Sequence, residues 1–268
     1  MKHIVMFSGG IGSWAAAKRV AKLYGTDDLY LLFCDVLGED EDCYRFIPEA
    51  AANVGGQLIW LKDGRTIWDV FRDHRMLGNS RIAKCSHVLK QEPAHRWLRQ
   101  NTDSADTAVY VGIDWTESHR LAAIERNYAP WTAFAPLTEP PYLDKVDMIA
   151  WSESEGLKPP RMYEEGWPHA NCRGGCVRAG QGHFKMLLEK RPEVFAEWER
   201  EEQAMREFLG RDVSILKDRR GGTTKPLPLS VLRQRVQDTP ELVDTEDIGG
   251  CGCFVEPGHL GNAGEVVR

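Results

Sequence analysis

The chain has 268 residues, 42% hydrophobic and 28% charged, with a formal net charge of −6. That length can bury a substantial core, as one large domain or a domain with an appendage, and the charge excludes a uniformly basic nucleic-acid coat. No apolar run is long enough to span a bilayer and no signal peptide opens the chain, so seven cysteines read as cytoplasmic thiols or metal ligands rather than disulfides.

In chain order, His3–Phe7 reads as a strand and Trp14–Tyr24 as a helix. Between them Ser8-Gly9-Gly10-Ile11-Gly12-Ser13 has the form of a strand–loop–helix phosphate cradle, in which glycines admit an anion and the helix start holds it. No Lys follows Gly12, so the loop is not a Walker A motif, and it is not GxGxxG. Leu29–Cys34 is a buried type of strand that ends in Asp35, which suits a ribose or Mg²⁺, while Glu39 to Asp42 read as a solvated acidic loop. A helix over about Arg45–Val54, a strand Gln57–Leu61, a helix within Glu92–Arg99, a strand Ala108–Gly112 and a helix Glu117–Arg126 follow. This alternation predicts an α/β fold, a Rossmann-like (HUP-type) parallel sheet with helices on both faces.

After Leu137 the pattern changes. A helix over about Asp144–Gly156 lies between proline pairs, Cys172 and Cys176 open a glycine-rich turn, and Pro192–Leu209 is helical with Phe195, Trp198, Met205 and Phe208 as its apolar stripe. Residues 217–235 hold six basic residues against Asp218, either an anion contact or a solvated basic loop. The expected division is a nucleotide-binding domain over residues 1–160 and a C-terminal helical and loop region over 161–268 that carries a cysteine metal site.

Five blocks in order resemble the phosphoadenylyl-sulfate (PAPS/APS) reductase family of the adenine nucleotide α-hydrolase-like, or PP-loop, superfamily. They are Ser8–Ser13, like SGGxDS; the acidic strand exit followed by Tyr44, Arg45 and Phe46; Cys85 to Pro93, with Lys90, Glu92 and Pro93 aligned; Gly112 to Arg120; and Pro136-Leu137, a helix, Tyr163-Glu164-Glu165-Gly166 and Cys172…Cys176. The resemblance covers about residues 3–190. It departs at Gly12, which stands where the PP-loop Asp would be, and at Ser86, where iron–sulfur members have a second Cys. Cys172 and Cys176 are three residues apart instead of two, and Gly249–Phe254 replaces the C-terminal Glu-Cys-Gly-Leu-His peptide.

The resemblance implies that Ser8, Gly9, Gly10, Gly12 and Ser13 cradle phosphate, that Asp35 faces ribose or metal, and that Ser118 and Arg120 hold the sulfate or phosphate end. Cys34 and Cys43 read as core or structural thiols. Cys85, Cys172, Cys176 and Cys253 would bind a [4Fe–4S] cluster, with zinc as the alternative, and Cys251 would be the nucleophile. The implied function is an adenine-nucleotide-dependent sulfur enzyme, reducing an adenylyl sulfate to sulfite with thiols. Alternatives are ATP-dependent sulfur transfer to a nucleobase of DNA or RNA, and a nucleotide- and zinc-binding module without turnover. Expected partners are an adenine nucleotide, a thioredoxin-like reductant or sulfur donor and, for the transfer reaction, nucleic acid; no membrane contact is expected, and a homo-oligomer is compatible.

Overall fold

The computed structural model describes residues 1–250. The strands β1 (Lys2–Met6), β2 (Leu29–Asp35), β3 (Gln57–Lys62), β4 (Thr107–Val111) and β5 (Thr132–Phe134) form one sheet in the order β3-β2-β1-β4-β5. Every neighbouring pair in it is parallel. This is the predicted Rossmann-like α/β architecture. The strand order reverses between β1 and β4, and ligands of such sheets bind beyond the carboxyl ends of the strands at that crevice.

Alternation along the strands divides the core. Val5 and Phe7 pack on one face with Leu31 and Phe33, while Ile4 and Met6 pack on the other with Leu32 and Cys34. The first face is covered by α1 (Ile11–Tyr24), α2 (Glu41–Val54) and α7 (Lys145–Ser154), through Trp14, Val20, Phe46, Ile47 and Met148. The second is covered by α5 (Glu92–Asn101) and α6 (Leu121–Tyr128), through Leu98, Ile124 and Tyr128. Each fully buried Leu, Ile or Phe contributes about 1.5–3 kcal/mol, so these two apolar layers dominate the sheet's stability.

A further core lies beside the sheet. It joins Trp68 and Phe71 of α3 (Ile67–Asp73) to Met162 of α8 (Arg161–Glu164), Phe184 of α9 (Gln181–Lys190) and Phe195 and Trp198 of α10 (Pro192–Leu209). The antiparallel hairpin of β6 (Leu216–Asp218) and β7 (Lys225–Leu227) closes it with α11 (Leu229–Asp238). The C-terminal core is thus completed by a helix from the N-terminal half. The short α4 (Lys84–Ser86) leads through a π-helical turn, His87–Gln91, into α5.

Some boundaries differ from expectation for local reasons. Helix α1 begins at Ile11 rather than Trp14, which puts Gly12 and Ser13 in its first turn. Helix α2 begins at Glu41 because the Asp40 side chain accepts the Asp42 N–H, an N-cap that the acidic run concealed. Glu41 and Asp42 then lie where the helix dipole favours negative charge. The basic stretch 217–235 is not a bare cationic loop: Asp218 pairs with Arg220 and Arg235, each at 2.8 Å, and Glu199 takes Arg233 at 2.6 Å. Among the described residues, no helix is long and apolar enough to cross a membrane.

Candidate functional site at the strand exits

The turn after β1 is shaped by close backbone packing. Gly9 is left-handed at φ 78°, and a Cβ there would lie 2.7 Å from Cys43 Sγ. Gly10 flanks α1 without a side-chain cap, and the Ser13 hydroxyl donates back to the Gly10 carbonyl at 2.8 Å. Ser8 donates to Ser13 across the turn at 3.4 Å. The Ile11 N–H, one of the first of the helix, donates to the Tyr163 hydroxyl at 3.0 Å. That hydroxyl marks a position where an oxygen acceptor fits the helix start.

Gly12 meets the exit of β4. A Cβ at Gly12 would stand 2.9 Å from the Gly112 carbonyl oxygen, and one at Gly112 would stand 2.7 Å from the Gly12 carbonyl oxygen. Two backbones touch here because neither residue has a side chain. The contact brings the β1 loop and the β4 exit together on either side of the crevice.

Beyond Gly112, the Asp114 side chain caps a 3₁₀ segment, Trp115–Arg120, by accepting the Thr116 N–H at 3.0 Å. Ser118 on this segment is exposed. Arg120 is largely buried and paired with Glu117. His169, which the sequence reading did not single out, stands in the field of the same groups. Burial first, then the field of Lys145, of His183 when protonated and of Arg120, push its imidazole down to about 4, with Asp114 opposing. It is therefore neutral at pH 7. Lys145, in the first turn of α7, lies 6.0 Å from the centroid of the Tyr163 ring. A solitary His in Trp-Pro-His-Ala and a Lys after an N-cap Asp carry no signal without the fold.

Asp35 is buried at the end of β2, and its carboxylate already accepts three hydrogen bonds. Oδ1 takes the Leu37 N–H at 2.8 Å and the Tyr44 hydroxyl at 2.7 Å, and Oδ2 takes the Trp60 indole at 3.2 Å. As placed, it organises the turn that follows the strand.

The acidic turn corrects the sequence reading, because Glu39 and Asp40 are buried rather than solvated, each 3% exposed. Glu39 pairs with Lys90 at 3.4 Å and accepts the Cys172 N–H. Asp40 pairs with Arg161 at 3.0 Å and Arg191 at 2.6 Å. Burial works against its ionisation, but the hydrogen bonds from Arg161 and Arg191 outweigh it and hold the carboxyl below the usual range. These partners come from distant segments, so composition alone cannot reveal them.

Asn171 ties the cysteine turn to the loop after β1, donating to the Ser8 carbonyl at 2.8 Å. Cys172 and Cys176 line a cavity of about 130 Å³ together with His169 and His183. The described chain ends on that cavity's rim at Gly250, where Ala179 and Gly249 form an antiparallel bridge. Cys85 and Cys176 both border the C-terminal core. Cys34 and Cys43 are buried, and burial pushes both thiols up, Cys34 to about 12. Cys251 and Cys253 lie outside the described residues.

Among the described residues, no three His, Cys, Asp or Glu side chains are grouped to hold a metal ion. Cys253, expected as the fourth ligand beside Cys85, Cys172 and Cys176, lies outside the described residues.

No protein-family model matches the chain, and no curated protein does. Among solved structures it is similar to the crystal structure of phosphoadenylyl-sulfate (PAPS) reductase from Candida auris in its phosphate complex. The TM-score is 0.46 at 17% identity, over 64% of this chain and 82% of that one. At those values the likeness carries no weight for site or reaction, which rest on the chain's own motifs and geometry.

Proposed function

We propose that this chain is an adenine-nucleotide-dependent enzyme of sulfur chemistry, with thiol-dependent reduction of an adenylyl sulfate to sulfite as its reaction. The supporting observation is the juxtaposition at the sheet's switch point. The Ser8–Ser13 loop, the β4 exit bearing Arg120, and the turn carrying Cys172 meet through the Gly12–Gly112 contact and the bond from Asn171 to Ser8. An anionic group held at the start of α1 would gain from the helix dipole, with Arg120 and Lys145 as its proposed cationic partners and neutral His169 able to donate or accept one hydrogen bond.

In this reading a cysteine thiolate, assigned from the sequence to Cys251, attacks the sulfate sulfur. An S–S bond forms, the S–O bond to the phosphate breaks, and the adenosine phosphate leaves carrying the electron pair. One thiolate of a dithiol reductant then attacks the Cys251 sulfur and sulfite leaves with the S–S electron pair; the second thiol resolves the mixed disulfide, which frees the Cys251 thiolate and leaves the reductant as a disulfide. Both steps conserve atoms and electrons without a metal. A [4Fe–4S] cluster or zinc on Cys85, Cys172, Cys176 and Cys253 belongs to the same proposal only if iron and sulfide, or zinc, co-purify stoichiometrically.

The rival sulfur-transfer reaction uses the same cradle but consumes ATP. Adenylyl sulfate, phosphoadenylyl sulfate and ATP are mixed separately with the protein and a dithiol. Sulfite release from an adenylyl sulfate is expected, and AMP or pyrophosphate release from ATP alone would move the assignment to sulfur transfer. Tight nucleotide binding with no release from any of the three would leave a binding module.

A further inference from the structure

Glu39 is an unusual residue to bury. Its side chain is 0% exposed and that of its partner Lys90 only 4%. A buried carboxylate persists only where each oxygen is engaged. One oxygen faces Lys90 Nζ at 3.4 Å, and the other accepts the backbone N–H of Cys172, from a segment 133 residues further along the chain. Cys172 and Arg173 that follow are left-handed at φ 56° and 52°, a conformation that residues with a Cβ leave unless their surroundings hold them. The preceding residue, Asn171, is bonded to Ser8 of the anion loop. Two consecutive residues are thus gripped by the exits of two adjacent strands, Asn171 by β1 and Cys172 by β2.

We propose that Glu39 is a positioning residue: its buried carboxylate fixes the strained Asn171–Arg173 turn, and so aims the Cys172 thiol into its cavity in register with the Ser8–Ser13 loop. The link to an anion in that loop rests on the function proposed above; the hold on Cys172 does not. Cys176 lines the same cavity and serves as the internal reference.

The test uses the full chain under reductant. Amide hydrogen exchange is followed in the peptide spanning 170–176, and alkylation of Cys172 and Cys176 is timed by mass spectrometry. Glu39→Gln keeps an acceptor oxygen and loses the charge. Glu39→Ala with Lys90→Met removes the acceptor without leaving a buried cation opposite it. In the double variant the Cys172 amide should exchange about tenfold faster, and Cys172 should be alkylated about threefold faster relative to Cys176. Glu39→Gln should fall between it and the parent.

An unchanged Cys172-to-Cys176 ratio with unchanged amide protection, in a double variant that stays folded, would overturn the proposal. Inorganic phosphate or ATP should slow Cys172 alkylation in the parent and not in Asn171→Ala. If calorimetry finds that neither ligand binds the parent, the nucleotide reading fails while the ligand-free effect of Glu39 still stands or falls by itself.

Discussion

Both regions of the molecule have apolar cores, but they differ in how much buried charge is added to them. The sheet half is dry: Val5, Phe7, Trp14 and Phe46 on one face and Ile4, Met6 and Tyr128 on the other are nearly inaccessible, and its strand exits meet glycine against glycine. The region around the cysteine turn adds buried ion pairs to its aromatic core, with Glu39 on Lys90 and Asp40 on Arg191, and farther along α10 buried Glu202 accepts the N–H groups of Ile215 and Leu229 at 2.8 and 2.6 Å. Apolar packing tolerates a lost methyl group at moderate cost, whereas a buried ion that loses its partner is left with its full desolvation penalty. The chemistry-bearing turn is therefore the more brittle of the two.

Lys90→Met should expose that brittleness most. It leaves Glu39 buried and unpaired, and urea denaturation should show a loss of about 3–5 kcal/mol. A loss under about 1 kcal/mol would erase the contrast between the halves. Next comes Gly112→Ala, which forces a Cβ to within 2.7 Å of the Gly12 carbonyl and of Ser13 Cα. Overpacking there should cost about 2 kcal/mol and weaken nucleotide binding together with stability, both readable from melting curves with and without ATP.

The pH dependence sharpens the comparison further. His169 stays neutral in the folded chain down to about 4 but takes a proton near 6.5 when unfolded. The unfolded state therefore binds more protons between those values, and stability falls as pH drops from 6.5 towards 4, by on the order of 1–2 kcal/mol between pH 7 and pH 5. Glu202 works in the opposite sense. Burial raises its carboxyl to about 7 against 4.5 unfolded, so its contribution is lost as pH rises through that window. His169→Asn should flatten the acid limb of a denaturation–pH profile and Glu202→Gln the neutral limb; identical profiles would refute both. Smallest in stability is Arg120→Ala, within about 1 kcal/mol for a partly exposed pair, yet it should weaken adenylyl sulfate binding about tenfold by equilibrium dialysis.

The sheet half was legible in the sequence because its information is local. Leu29–Cys34 is a continuous apolar run, the register alternates with period two, and Ser8–Ser13 announces its turn through glycines and serines. The helix boundaries of α5, α7 and α10 follow proline and capping signals, such as Pro93 near one start and the Asp144–Asp147 capping box at another. What the sequence hid is long-range electrostatics. Glu39 and Asp40 look like a solvated run until Lys90, 51 residues on, and Arg191, 151 residues on, are folded against them. Lys145 and His169 are anonymous for the same reason, and the charge of 217–235 looked unopposed because Glu199 lies on another helix.

The contact between Gly12 and Gly112 also bears on how this chain can evolve. An aspartate at position 12, as in the loop this sequence resembles, would drive its first side-chain carbon into the β4 exit. Installing that acid requires the strand exit to give way, and any residue other than glycine at 112 presses the wrong way. The two positions are therefore sterically coupled, so a side chain at 12 is felt at 112 and the reverse. With this contact closed, the turn after β1 has no room for a carboxylate at position 12.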